Sequence, residues 1–204
     1  MLTRRSLLVS SLAAAAVLAL SAAMPFARAH AADGAAAFIE QTGKELVAIV
    51  NSADPTAQKQ AELQKVIDRD VDVNAIAQFC LGRYWRTATP EQRQEYLDLF
   101  HRVLLKNITG KLGDYVGVTF TVGRTTPQDS QVEVATVIAR PNSAPANVEW
   151  IVSNASGSPR IIDVVAEGTS LRLTQRSDYV SYLLHNNNNV NVLLQALKQQ
   201  VQAG

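Results

Sequence analysis

Cysteine is nearly absent. Cys80 stands alone among 204 residues, so the chain closes no internal disulfide. Lying between Phe79 and Leu81, it reads as a small buried apolar residue; a catalytic thiol would need a nearby base in an electropositive setting. It is also far from the first thirty residues, so no lipobox is expected. Histidine is scarce as well: His30, His101 and His185 share no metal-ligand spacing and no cysteine pair supplements them, so no metal site is expected. Neither Gly-x-Ser-x-Gly nor Gly-x-x-x-x-Gly-Lys-Ser/Thr occurs, which removes the hydrolase elbow and the phosphate loop. Gly110, Gly113 and Gly117 are spaced for a loop entering a strand.

Positive charge is not in excess either. Lys and Arg number 19 against 18 Asp and Glu. Without residues 1–31, which carry Arg4, Arg5 and Arg28, 16 basic residues face 18 acidic ones and the balance is −2. Such a surface has no electrostatic footprint for nucleic acid. It also lacks the clustered Lys and Arg that grip anionic headgroups.

What is present begins with an address. Arg4 and Arg5, the run Ser6 to Ala23, and the small-x-small pairs Ala27-Arg28-Ala29 and Ala29-His30-Ala31 follow the order of a signal peptide. Its purely apolar core, Leu12 to Leu20, is shorter than the roughly 20 residues that span a bilayer. Cleavage is expected after Ala29 or Ala31. Thr3-Arg4-Arg5-Ser6-Leu7-Leu8 has the twin-arginine form, so export runs by Sec or Tat. Residues 1–31 are therefore read as a leader and 32–204 as one exported domain.

The domain is helical at both ends and strand-rich in the middle. Phe38, Thr42, Leu46 and Ile49-Val50 predict a helix over 35–51. Asp54 and Pro55 suit the cap and first position of a second helix reaching about Arg69. A third runs from about Asn74 to Leu81. Thr89-Pro90-Glu91-Gln92 is a capping box opening a helix whose stripe is Tyr96, Leu99, Phe100, Val103, Leu104 and Ile108. Four strands follow, around 116–122, 132–139, 148–152 and 160–166, with turn-rich segments 125–130, 141–145 and 154–159 between them. Such short connections require antiparallel pairing. One helix or a bent pair over 171–184 and a helix over 190–201 flank the loop Asn186–Asn189. The expected fold is α+β: a curled four-stranded antiparallel sheet packed against N- and C-terminal helices around an apolar cavity.

No polar constellation stands out. Asp163 and Glu167 are the carboxylates best placed to flank a cavity. Asp163 either points inward with a raised pKa or pairs at an edge with Arg160 or Arg172. Apolar stripes recur on five helices and four strands, which either fill a core or enclose a cavity. Periodicity selects the inward positions Phe79, Leu99, Phe100, Val103, Val118, Phe120, Val134, Trp150 and Val164; a face choice wrong by one residue inverts a whole strand. Tyr84 and Trp85 belong to the core or to a pocket mouth, where one wet end suits both rings. Arg83 and Arg86 meet a partner or a phosphate, or are simply solvated.

The segment Phe79-Cys80-Leu81-Gly82-Arg83-Tyr84-Trp85-Arg86, continuing through Thr89-Pro90-Glu91-Gln92 to Tyr96, Leu99 and Phe100, resembles the signature of the MlaC family. Asp163-Val164-Val165-Ala166-Glu167-Gly168-Thr169-Ser170-Leu171, followed by Gln175-Arg176-Ser177-Asp178-Tyr179, resembles its second block. The family comprises periplasmic lipid-binding proteins of the Mla pathway, also called toluene-tolerance or ABC-transporter auxiliary proteins. The resemblance implies a carrier, not an enzyme. It would need no cofactor beyond its lipid cargo, and would shuttle phospholipid between an outer-membrane lipoprotein/porin complex and an inner-membrane ABC transporter with its substrate-binding component. The lipid's acyl chains would lie between sheet and helices. Some relatives, the HpnM type, sit in hopanoid gene clusters, so a hopanoid is the alternative cargo. The Asn186–Asn189 run replaces the glycine-containing loop expected of the family. A small periplasmic enzyme on a cone-shaped α+β fold and a protein-binding adaptor with a filled core are the rival readings.

Overall fold

The computed structural model describes residues 24–203. Helix α1, Met24–Asn51, has an alanine-rich front of high helix propensity and a buried stripe of Ala35, Ile39, Thr42, Ile49 and Val50. It starts earlier than the periodicity predicts. Of the expected leader, Arg4, Arg5 and Ser6–Ala23 lie outside the described residues, while both candidate cleavage points fall in the first turns of α1.

Helix α2, Thr56–Asp70, begins one residue later than expected. Pro55 is extended (φ −57°, ψ 147°) and occupies the cap position, and no side chain caps this end, so Asp54 does not serve as the N-cap. The carbonyl of Pro55 instead accepts from the N–H groups of Gln58 and Lys59. Helix α3, Val73–Leu81, is capped by Asp72, whose carboxylate accepts from Ala75 N at 2.9 Å. A single turn, α4 (Tyr84–Thr87), separates it from α5 (Pro90–Thr109). The capping box forms as the spacing predicts: Gln92 N donates to Thr89 Oγ1 at 3.2 Å and Thr89 N to Gln92 Oε1 at 2.9 Å. Gly110 ends α5, and a 3-10 turn over Leu112–Tyr115 leads into the sheet.

The four expected strands form, joined by a fifth of two residues. They are β1 (Thr119–Gln128), β2 (Gln131–Ala139), β3 (Ala146–Ser153), β4 (Arg160–Ala166) and β5 (Thr169–Ser170), antiparallel and in chain order. β1 runs into the segment expected to be a turn. A bulge between Val122 and Thr125 lets Thr125, Thr126 and Pro127 continue the ladder against Val134, Glu133 and Val132. Pro127 is tolerated because β1 is an edge strand. The turn shrinks to Asp129-Ser130, with Asp129 at φ 48°.

Helices α6 (Leu171–His185) and α7 (Val190–Gln202) close the chain, capped by Ser170 and Asn189. Between them Asn187 and Asn188 take φ 55° and 58°. Asparagine is the residue after glycine that best tolerates this left-handed region, so the loop turns without the glycine expected there.

The apolar interior falls into two clusters. One joins the helices: Ala77, Leu81, Tyr96, Leu99, Phe100, Val103, Tyr179, Leu183 and the inner face of α7. At its heart Tyr96, Phe100 and Tyr179 meet with centroids 5.8 to 6.3 Å apart. The Tyr96 hydroxyl donates to Ala77 O at 2.9 Å, and burial pushes its pKa well above the ordinary tyrosine value. The other cluster lies between α1 and the sheet: Ala35 and Ile39 against Val132, Val134, Val152 and Ile161.

Candidate functional site

Strand register fixes what the sheet offers to α1. Phe120 pairs with Ile138; Val122, Thr136, Val148 and Ala166 form the next row; then come Thr125, Val134, Trp150 and Val164; then Pro127, Val132, Val152 and Ile161. Side chains alternate along each strand, so these residues share one face. No ionisable side chain occurs in the four rows.

Helix α1 packs along β1 and β2, whereas α2, α3 and α6 reach β4 and no helix packs along β3 among the described residues. Neighbouring apolar groups are therefore left half-buried: Phe38 on α1, and Phe120, Val122, Trp150 and Val164 on the sheet. The Trp150 indole is oriented by its N–H, which donates to Thr136 Oγ1 at 2.9 Å, while Thr136 donates in turn to Val148 O at 2.9 Å. Both buried polar groups are thus satisfied. Phe120 meets Trp150 edge-on, centroids 6.4 Å apart. The result is an apolar trough with α1 along one side.

α1 approaches the sheet closely at Gly43. A Cβ there would lie 2.3 Å from Phe120 Cε1, so only glycine admits the ring at its present position. Polar bonds hold α1 elsewhere. Asn51, at its C-terminal end, accepts from Gly117 N at 2.7 Å and donates to Val118 O at 3.2 Å. Thr42 donates to the buried carboxylate of Asp70 at 2.8 Å, and Arg69 donates to both oxygens of that carboxylate. Burial alone would raise the pKa of Asp70, but the hydrogen bonds from Arg69 and Thr42 outweigh it and hold the group below the usual carboxylate range.

The sequence-chosen positions divide between the two clusters. Phe120, Val134, Trp150 and Val164 lie together on the trough face. Leu99, Phe100, Val103 and Val118 are buried in the helical cluster. Phe79 packs at the border of that cluster beneath Arg172 and Arg176, whose guanidinium carbons lie 4.6 and 4.9 Å from its ring centre. Tyr84 is buried with the helices; its hydroxyl donates to Asn188 Oδ1 at 2.6 Å and accepts from Arg83 at 3.0 Å. Trp85 is half-buried under Arg93, and Arg86 is exposed. The inward positions selected above leave out Phe38, which opens the periodic stripe of α1, and Val122 and Thr136. Val122 and Thr136 share the alternation that selected Phe120 and Val134, so that signal was available in the sequence.

Asp163 points away from the trough. It pairs with Ile151 and so takes the opposite parity to Val164. Its carboxylate accepts from Ser170 Oγ (2.6 Å), Val164 N (2.8 Å) and Arg172 N (3.1 Å), with the Arg172 guanidinium at 3.2 Å. It staples β4 to the start of α6, as the ion-pair reading with Arg172 expects; Arg160 instead donates to Asp68 O. Cys80 is fully buried, and desolvation, followed by nearby Asp163, pushes its thiol up to about 12, far from a reactive thiolate. Two hollows carry charge: one of about 400 Å³ between α1 and α2, walled by Glu45, Glu62, Lys65 and Arg69, and one of about 580 Å³ walled by Asp68, Asp72, Asp98, His101 and Arg160. Among the described residues no His, Cys, Asp and Glu cluster is arranged to hold a metal. No helix there is long and apolar enough to cross a membrane.

An uncharged face on which Trp150 and Thr136 have their hydrogen bonds satisfied is suited to hold apolar or amphipathic molecules. A family model described as MlaC protein matches residues 40–199. The chain belongs to the MlaC family. It is similar to the toluene tolerance protein Ttg2D of Pseudomonas putida, 24% identical over 130 residues that make up 63% of this chain and 60% of the relative. The match thus spans less than two thirds of that relative's length. The fold is similar to that of a phospholipid-binding protein from Ralstonia solanacearum, solved in complex with a phospholipid: TM-score 0.72, 21% identity, covering 83% of this chain and 97% of that one.

Proposed function

We propose that this chain is a periplasmic phospholipid carrier. In this reading it exchanges its cargo between an outer-membrane lipoprotein/porin complex and an inner-membrane ABC transporter with its substrate-binding component. The observation that carries the reading is the trough. Half-buried Phe38, Phe120, Val122, Trp150 and Val164 line a face without a single charge, which suits hydrocarbon and nothing ionic. Family membership and the phospholipid of the Ralstonia relative supply the cargo class.

Energetics set how such a carrier must work. Burying a methylene gives about 0.8 kcal/mol, so two chains of about 28 methylenes offer roughly 20 kcal/mol gross. That approaches the ceiling of non-covalent affinity, and unaided release would be far too slow for traffic. A membrane partner must therefore open the trough. α1 is the element to move: its polar anchors, Asn51 and Thr42, lie in its C-terminal half, and towards its N-terminus it meets the sheet through Ala35, Phe38 and Ile39.

Solvent extraction of the purified protein followed by mass spectrometry tests the cargo. Stoichiometric phospholipid is expected. A hopanoid would redirect the cargo to the HpnM type, and protein devoid of any amphiphile would refute the carrier. Transfer to the transporter complex should greatly outpace transfer to protein-free vesicles; equal rates would refute partner-driven opening.

A further inference from the structure

The turn between α3 and α5 gathers cations that no described residue pairs with. Arg83 precedes α4 and Arg86 lies within it, both are exposed, and Arg93 donates to Arg86 O at 3.2 Å. Arg176 comes from α6, and its Nε would lie 3.3 Å from a Cβ on Gly82, the residue before Arg83. Among the described residues none of these four forms an ion pair, although the expected mature chain is acidic overall.

Three of the four lie over aromatic rings: Arg83 on Tyr84 at 5.0 Å, Arg93 on Trp85 at 5.3 Å and Arg176 on Phe79 at 4.9 Å. Tyr84 is tied down further by Asn188. Contact with a ring restrains each of these side chains, so less freedom is lost when a carboxylate engages its guanidinium. Arginine backed by tyrosine and tryptophan is the usual make-up of a protein-binding hot spot.

We propose that the Arg83–Arg86–Arg93–Arg176 face is a docking surface for an acidic protein. Resting on the carrier reading, it is where the membrane-side partner takes hold during hand-off. It is separate from the trough, so docking and cargo binding are lost independently.

The test uses lipid-loaded mature protein and inner-membrane vesicles from the source organism. Wild type should bind the vesicles, with affinity falling as salt rises and with poly-L-glutamate competing. Arg83→Glu/Arg86→Glu should bind about tenfold or more weakly, and Arg176→Gln, which adds no repulsive charge, severalfold more weakly; both should keep their lipid. A control with the same charge change at exposed positions elsewhere, Lys111→Glu/Arg124→Glu, should bind like wild type. Protein-free vesicles of the extracted lipids should bind neither protein. Binding to those vesicles, an equal loss in the control, unchanged binding by both patch variants, or loss of lipid from the patch variants would overturn the assignment. Wild type that carries no lipid yet still shows patch-dependent binding would defeat the carrier reading alone.

Discussion

Replacing Gly43 by alanine tests whether the contact between α1 and β1 is as close as described. Two effects oppose each other. Alanine is favoured over glycine inside a helix by about 1 kcal/mol. Its Cβ, however, would lie 2.3 Å from Phe120 Cε1 and 2.6 Å from Cδ1 and Cζ. Carbon atoms rest at about 3.5 Å or more, so ring or helix must shift by roughly 1.2 Å, and overpacking of this kind costs about 1–3 kcal/mol. The clash wins: Gly43→Ala should lower stability by about 1 kcal/mol, or roughly 2–4 °C in Tm for a chain of this size. In a Phe120→Ala background the obstacle is gone, and the same substitution should raise stability by about 1 kcal/mol. Urea unfolding of the four proteins of this cycle measures both steps. The reasoning fails if alanine stabilises the wild-type background, or if the sign is the same in both.

Acid should loosen α1 from α2. The folded pKa of Asp70 is depressed, so its contribution is complete above the ordinary carboxylate pKa and is lost as pH falls through the lower folded value. Asp70→Asn should flatten the acid limb of a stability–pH curve, and an unchanged limb would refute the assignment. In Trp85→Phe protein, Trp150 is the remaining tryptophan of two, and loading delipidated protein with phospholipid should shift its emission to the blue; an identical spectrum would remove it from the site. Asp163→Asn should cost about 2–3 kcal/mol in chemical unfolding, because a carboxylate accepting several hydrogen bonds loses its charge. Its lipid content should not change, and a fully stable variant would contradict the stapling role.

Much of this architecture was legible because local chemistry and tertiary need agree. The Thr89 capping box starts α5 where the spacing requires, and β4 spans Arg160–Ala166 as its apolar run predicts. The failures have physical causes. Thr125 and Pro127 resemble turn residues, and only pairing with Val134 and Val132 keeps them in β1. Leu99, Phe100 and Val103 are as apolar as Val134 and Trp150, so periodicity finds an inward face without revealing which of two interiors it serves. The trough needed the strand register and the course of α1. The arginine face needed contacts between α6 and the end of α3, which sequence separation hides.

The sheet has two free margins, and both are blunted. β1 is interrupted by its bulge and carries Pro127, which has no N–H to offer; β4 is covered by the two residues of β5 after the tight turn at Glu167 and Gly168. A protein that repeatedly uncovers greasy strands to load and unload would otherwise invite a second copy to zip on edge to edge. Under the proposed carrier function, these interrupted borders leave little backbone for a second copy to pair with whenever the inner surface is bared.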